Sequence, residues 1–89
     1  MLKKLETELR IRGFSDHTIK SYLIQNRLFL EFIKKDPNNI EEDDIKEYFA
    51  NLQKNNFSNK TLALKKAALS FLYKEILNKD LLKFKTPKA

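Results

Sequence analysis

The residues able to do chemistry in this chain are few, and their spacing does not suit catalysis. There is one histidine, His17, and no cysteine. A lone histidine at a helix start is ordinarily a cap or a surface residue, and no partner base or nucleophile stands at a working distance from it in the pattern. The one acidic cluster is Glu41-Glu42-Asp43-Asp44. Four consecutive acids fan around a helix instead of converging on one ion, and they lack the spacing of a calcium loop. They suit the positive end of a helix dipole better. A single glycine excludes a glycine-rich phosphate loop. These residues predict no active site, no metal and no cofactor.

The cations are better organised. The net charge of +6 is lopsided: residues 1–45 carry eight basic residues against nine acidic, and residues 46–89 carry ten against three. A positive half joined to a nearly neutral one suggests a directional surface, most often for nucleic acid; the plainer reading is lysine used for solubility. In the second helical segment Lys20, Arg27 and Lys34 follow at steps of seven and form one stripe, with Glu31 inside it. In the fourth, Lys60, Lys66 and Lys74 share a polar arc with Ala63, Ala67 and Ser70, while Lys65 points toward the apolar arc and has to snorkel. Both segments open on a polar stretch, "SDHTIKS" and "SNKTLALKK". Free N–H groups and hydroxyls at such starts favour anions, which raises phosphate binding above a merely solvated face.

The elements that must position these groups are helices. With one Gly, two Pro and 42% apolar residues in an 89-residue chain, punctuation is sparse and one small core is the natural expectation. Leu2, Leu5 and Leu9 stripe a helix from Leu2 to about Arg12, stopped by Gly13. Ser15 caps a second helix from Asp16 to about Lys35, with Ile19, Tyr22, Leu23, Asn26, Phe29, Leu30 and Ile33 inward. After the turn cluster "DPNN", a third helix from Glu41 or Glu42 to about Lys54 buries Ile45, Tyr48, Phe49 and Leu52. Ser58 or Asn59 caps a fourth, from about Lys60 to Leu77, with Leu62, Leu69, Leu72, Tyr73 and Ile76 inward. The short connections make neighbours antiparallel. No signal-peptide core and no membrane-length apolar run are visible, so a cytoplasmic protein without membrane partners is expected.

Four ordered stretches resemble one family: "LRIRGFSDHTIKSY", "RLFLEFI", "IEEDDIKEYFANL" and "FSNKTLALKKAALSFLYKEIL". Together they resemble the N-terminal core-binding, SAM-like domain of tyrosine recombinases, the Xer-type and phage-integrase group. The resemblance implies an all-α fold, a four-helix orthogonal bundle. It further implies a module over residues 1–79 that clamps double-stranded DNA through its second and fourth helices, with residues 80–89 as a linker toward an absent catalytic domain. The tyrosine nucleophile and its Arg, His and Lys partners belong to that other domain, so no enzymatic activity is expected here. Carried over by position, the DNA-contacting candidates are His17, Lys20, Ser21 and Arg27, and then Asn59, Lys60, Thr61 and Lys65. Other recombinase protomers on the same DNA are further partners. The rival reading is a helical protein-interaction module without a DNA role, using Ile24, Leu28, Phe32, Leu64 and Phe71.

The sequence also leads us to expect the starts of helices 2 and 4 at one edge, facing a single phosphate track, with the acidic start of helix 3 elsewhere. If four to five phosphates are neutralised, log K for duplex DNA should fall with log salt at a slope of roughly −4. Titrations at several salt concentrations measure this slope, and a flat dependence would favour the interaction module.

Overall fold

Two joints of the same construction organise the chain. Gly13 takes a left-handed φ of 81° after α1 (Leu2–Ile11). There Phe14 N–H reaches back to the Leu9 carbonyl at 3.1 Å and Gly13 N–H to that of Arg10 at 3.0 Å, a Schellman closure. Ser15 then caps α2 (Asp16–Ile33): its Oγ accepts from Thr18 N–H at 3.2 Å and donates to Thr18 Oγ1 at 3.0 Å. The second joint repeats this after α3 (Glu42–Lys54). Asn56 is left-handed at φ 61°, Phe57 N–H bonds the Leu52 carbonyl, and Ser58 caps α4 (Asn59–Ser70) through Thr61. The sequence Gly/Asn-Phe-Ser-x-x-Thr thus dictates both turns.

The computed structural model describes residues 1–87, and among them there are four α-helices and no strand. The expected all-α, four-helix architecture is present. α2 ends two residues before the expected Lys35, because Lys34 adopts a left-handed cap with φ 54°. A single turn of 3₁₀ helix, Pro37–Asn39, fills the "DPNN" connection, with Asp36 Oδ1 accepting from Asn38 N–H. The fourth helix is not uniform: α-helical bonding stops at Ser70 and a π-helical turn runs over Phe71–Ile76.

The core gathers Leu5 and Leu9 of α1, Ile19 and Phe29 of α2, Ile40, and all four expected residues of α3. Leu62, Leu69, Leu72 and Tyr73 complete it from the fourth helix. Within it Asn26 is fully buried. Its Nδ2 donates to the Tyr22 carbonyl at 2.9 Å and to the Ala68 carbonyl at 3.0 Å, so it bonds α4 just ahead of the π turn. Arg12 ties α1 to that turn, through Glu75 at 2.6 Å and by stacking over Phe71.

Where a linker was expected from residue 80, the chain lies back against the body. Lys79 N–H bonds the Tyr73 carbonyl and its Nζ donates to the Asn38 carbonyl. Leu81, Leu82 and Phe84 cover the core, with the Phe84 ring edge-on to Phe49 at 5.5 Å. Lys66 Nζ donates to the Phe84 carbonyl at 2.6 Å and sits over the same ring. The apolar residues of this stretch lack a period yet cover surface that the four helices leave open. Lys88 and Ala89, the end of the expected linker, lie outside the described residues.

Two buried polar groups make opposite predictions. The Tyr73 hydroxyl finds no hydrogen-bond partner among the described residues, so Tyr73→Phe should leave thermal stability unchanged or raise it by about 1 kcal/mol. Asn26→Ala removes two bonds and opens a void, and should cost about 1–3 kcal/mol in denaturant titrations.

Candidate nucleic-acid interface

The direction of α2 against α4 decides what can act together. Tyr22 meets Phe71 with ring centroids 6.3 Å apart, Asn26 meets Ala68, and Gln25 meets Lys65. Rising numbers on α2 therefore pair with falling numbers on α4, and the two helices run antiparallel. The start of α2 lies by Phe71, and the start of α4 lies beside the last turns of α2. This corrects the expectation that both starts share one edge. The sign of the helix pair follows from the Asn26 and Lys65 bonds, which no periodicity reveals. At 1.5 Å per residue, the level of Lys20 is about 18 Å from that of Phe32, where α4 begins.

Each end keeps the groups the sequence pointed to. At the α2 start His17 and Lys20 are exposed and Ser21 is half-buried; at the α4 start Asn59 and Lys60 are exposed and Thr61 is half-buried. The hydroxyls of Ser15 and Ser58 are committed to their caps. Arg27 is exposed but lies on the other flank of α2: with Leu2, Lys3 and Glu6 it borders the groove toward α1. Lys20 and Lys34, at steps of seven from it, share that flank.

Neighbouring charges are already spoken for. Arg10 binds Glu6 at 3.2 Å and Asp16 at 2.9 Å, and Arg12 binds Glu8 at 3.0 Å as well as Glu75. Those hydrogen bonds raise both guanidinium pKa values. Asp44 accepts from Glu41 N–H and from Lys35 at 2.9 Å, which holds its carboxyl below the usual range. The acids Glu6, Glu8, Asp16 and Glu75 around the first joint are thus paired, whereas Glu31, exposed on α2 within the cation stripe, has no ion pair among the described residues. Among the described residues no ion pair engages Lys20, Arg27 or Lys60.

Lys65 departs from its expected role. It is only 4% exposed, and its Nζ donates to Gln25 Oε1 at 2.7 Å, with Tyr48 Oη at 3.4 Å. The Phe57 and Tyr48 rings lie 5.6 and 5.8 Å away. Burial lowers its pKa. The ammonium snorkels into an aromatic recess instead of outward, because α2 and α3 close over it. It joins three helices and offers nothing to a phosphate from this position.

The rival's apolar residues are largely on the surface: Ile24, Leu28, Phe32 and Leu64 are 37–45% exposed. Phe71 is half-buried among Phe14, Tyr22 and Arg12. One exposed residue, Phe57, was not singled out by its pattern. Its counterpart in the first joint, Phe14, packs into the body, so the repeated Phe-Ser signature was available in the sequence, but it does not tell which Phe is covered.

Lys65 yields a pH prediction. Its folded pKa lies below the unfolded 10.5, so the charged form carries a penalty that is relieved as pH rises toward 10.5. The stability of the wild type relative to Lys65→Met should increase between neutral pH and pH 10. Urea titrations at both values measure it, and Lys65→Met should fold at least as well as the wild type at pH 7.

Among known proteins, the family model described as phage integrase, N-terminal SAM-like domain, matches residues 1–83. Tyrosine recombinase XerC of Leptospira interrogans, in serovar copenhageni and in serovar Lai, is 36% identical over 86 residues. That similarity covers 91% of this chain and 28% of each relative, so the chain spans little over a quarter of their length. With its four helices, its two Phe-Ser-x-x-Thr joints and this match, the chain belongs to the family of phage-integrase N-terminal SAM-like domains.

Proposed function

We propose that this chain is the DNA-binding module of a site-specific tyrosine recombinase and that it clamps duplex DNA through α2 and α4. The carrying observation is the distribution of exposed cations that no ion pair engages among the described residues. Lys20 and Arg27 on α2 and Lys60 on α4 are exposed, and of the carboxylates around the first joint Glu6, Asp16, Glu8 and Glu75 are held by Arg10 and Arg12, leaving Glu31 as the one acid inside the α2 stripe. Capped helix starts add N–H groups and polar side chains at His17, Ser21, Asn59 and Thr61, which suit phosphate oxygens. The name of the similar Leptospira proteins, tyrosine recombinase, agrees with this reading. Strand cleavage and joining belong to a separate catalytic domain, and neighbouring protomers on the same DNA are the natural protein partners. Lys65 is not among the contacts in this proposal; its part is to hold α2, α3 and α4 together.

The rival, an interaction module with no DNA role, draws on the four exposed apolar side chains. Fluorescence anisotropy with a duplex separates the two. Lys20→Ala with Lys60→Ala should weaken binding at least tenfold at low salt and reduce the salt slope by about 1 for each phosphate no longer neutralised. Lys83→Ala with Lys85→Ala, in the tail, should change it much less. Chemical-shift mapping should move 17–27 and 59–64 and leave 40–48 quiet. Equal losses from the two pairs, or shifts centred on 40–48, would refute the assignment.

A further inference from the structure

The tail joins two helices that barely hold each other. α3 and α4 make little direct contact, and a recess of about 220 Å³ lies between Phe49, Ala50 and Gln53 of α3 and Leu62 of α4. Yet Phe49 is only 5% exposed and Leu62 is fully buried. Phe84 supplies the cover. It lines the same recess, and its ring stands edge-on to that of Phe49 at 5.5 Å.

The two ends of this stretch are fastened to different elements. At residue 79 the backbone N–H donates to the Tyr73 carbonyl at 2.8 Å, and Lys79 Nζ donates to the Asn38 carbonyl. At residue 84 the carbonyl accepts from Lys66 Nζ at 2.6 Å, and that ammonium stands 5.3 Å from the Phe84 ring centroid. Between the ends Leu81 and Leu82 are half-buried against the core, and residues 79–84 have no helical or strand bonding of their own. A segment held by its ends and a few side chains has no ladder to open bond by bond; it opens as one unit, at a lower free energy than global unfolding. The Lys66 bond is to a neutral carbonyl and a ring instead of a carboxylate, so it is weak enough to reverse. We infer that residues 79–84 are a latch with Phe84 as its bolt. Closed, it joins α3 to α4 and withdraws the Lys66 ammonium from solvent. Open, it uncovers Phe49 and Leu62 and returns Lys66 to the exposed arc that carries Lys60 and Lys74.

Acetylation of the 89-residue chain by a small amine-reactive ester, read site by site by mass spectrometry, reports the state of each lysine. In the wild type Lys66 should react about fivefold more slowly than Lys60, the equilibrium effect of one hydrogen bond. Phe84→Ala should bring Lys66 to the rate of Lys60 and leave the buried Lys65 slow. Amide relaxation should find residues 80–84 as ordered as the helices in the wild type and mobile in Phe84→Ala, with α1 and α2 unchanged. Lys66→Met keeps an apolar stem but removes the donor, and it should loosen 80–84 as well, which the loss of an idle surface lysine would not do. A wild-type tail as mobile as free chain, or a Lys66 as reactive as Lys60, overturns the inference. So does a Phe84→Ala variant in which both readouts stay as in the wild type. Loss of helix throughout that variant overturns it too, because the tail would then be part of the core and not a unit that opens alone.

Discussion

The bond between the Asn26 amide and the Ala68 carbonyl is the constraint on which the arrangement of helices depends. The buried Asn26 Nδ2 uses both of its donors, and leaving them unmade would cost more than the bonds are worth in water, while Asn26 Oδ1 has no partner among the described residues. In the observed register Asn26 reaches both Tyr22 on its own helix and Ala68 on the facing one. Ala68 lies just before the change from α to π bonding, where the backbone ladder is being rewired and a side-chain donor is readily accommodated. The wider turn that follows rotates Phe71 toward Phe14 and Tyr22, and Arg12 closes over it. One polar contact therefore sets the direction, the register and the seating of the first joint.

Lys65 plays the corresponding part at the other end of the pair. Its ammonium has a single short acceptor and two ring faces, a poorer exchange for water than a carboxylate partner would supply. Burial accordingly lowers its pKa. The recess it fills separates Gln25 of α2 from Tyr48 of α3, and an apolar chain there would pack without holding Gln25 in place. The two contacts together join α2 to α4 at two levels. The ion pairs of Arg10 and Arg12 matter in a different way. They are exposed and add little stability, but they pair Glu6, Glu8, Asp16 and Glu75 around the first joint, so that Glu31 is the acid left within the cation stripe of α2.

Much of this was legible in the residues. The Gly-Phe-Ser and Asn-Phe-Ser joints, the inward stripes and the acidic start of α3 follow from local rules of capping, periodicity and dipoles, which act within a few residues of themselves. Even the buried Asn26 stood in the inward stripe by spacing alone. The exposed states of His17, Lys20, Arg27 and Lys60 likewise match their positions on the polar arcs.

What local rules do not contain is how separate helices face each other. Lys65 stands toward the apolar arc by spacing, from which its ammonium was expected to snorkel outward to a phosphate, yet it is covered by Gln25 and Tyr48, contributed by residues 40 and 17 positions away. Phe14 and Phe57 hold the same place in the same turn, and only the neighbours decide that one is covered and the other is not. The tail shows the same limit, since Leu81, Leu82 and Phe84 have no pattern until a gap between helices exists for them to cover. The sequence by itself determined where helices start and stop and which side of each is apolar, because those depend on hydrogen bonds and spacing along one chain segment. Tertiary structure decided that α2 and α4 oppose each other, that their starts lie apart, and that Lys65 is inside, because those outcomes depend on the pairing of buried polar groups between segments.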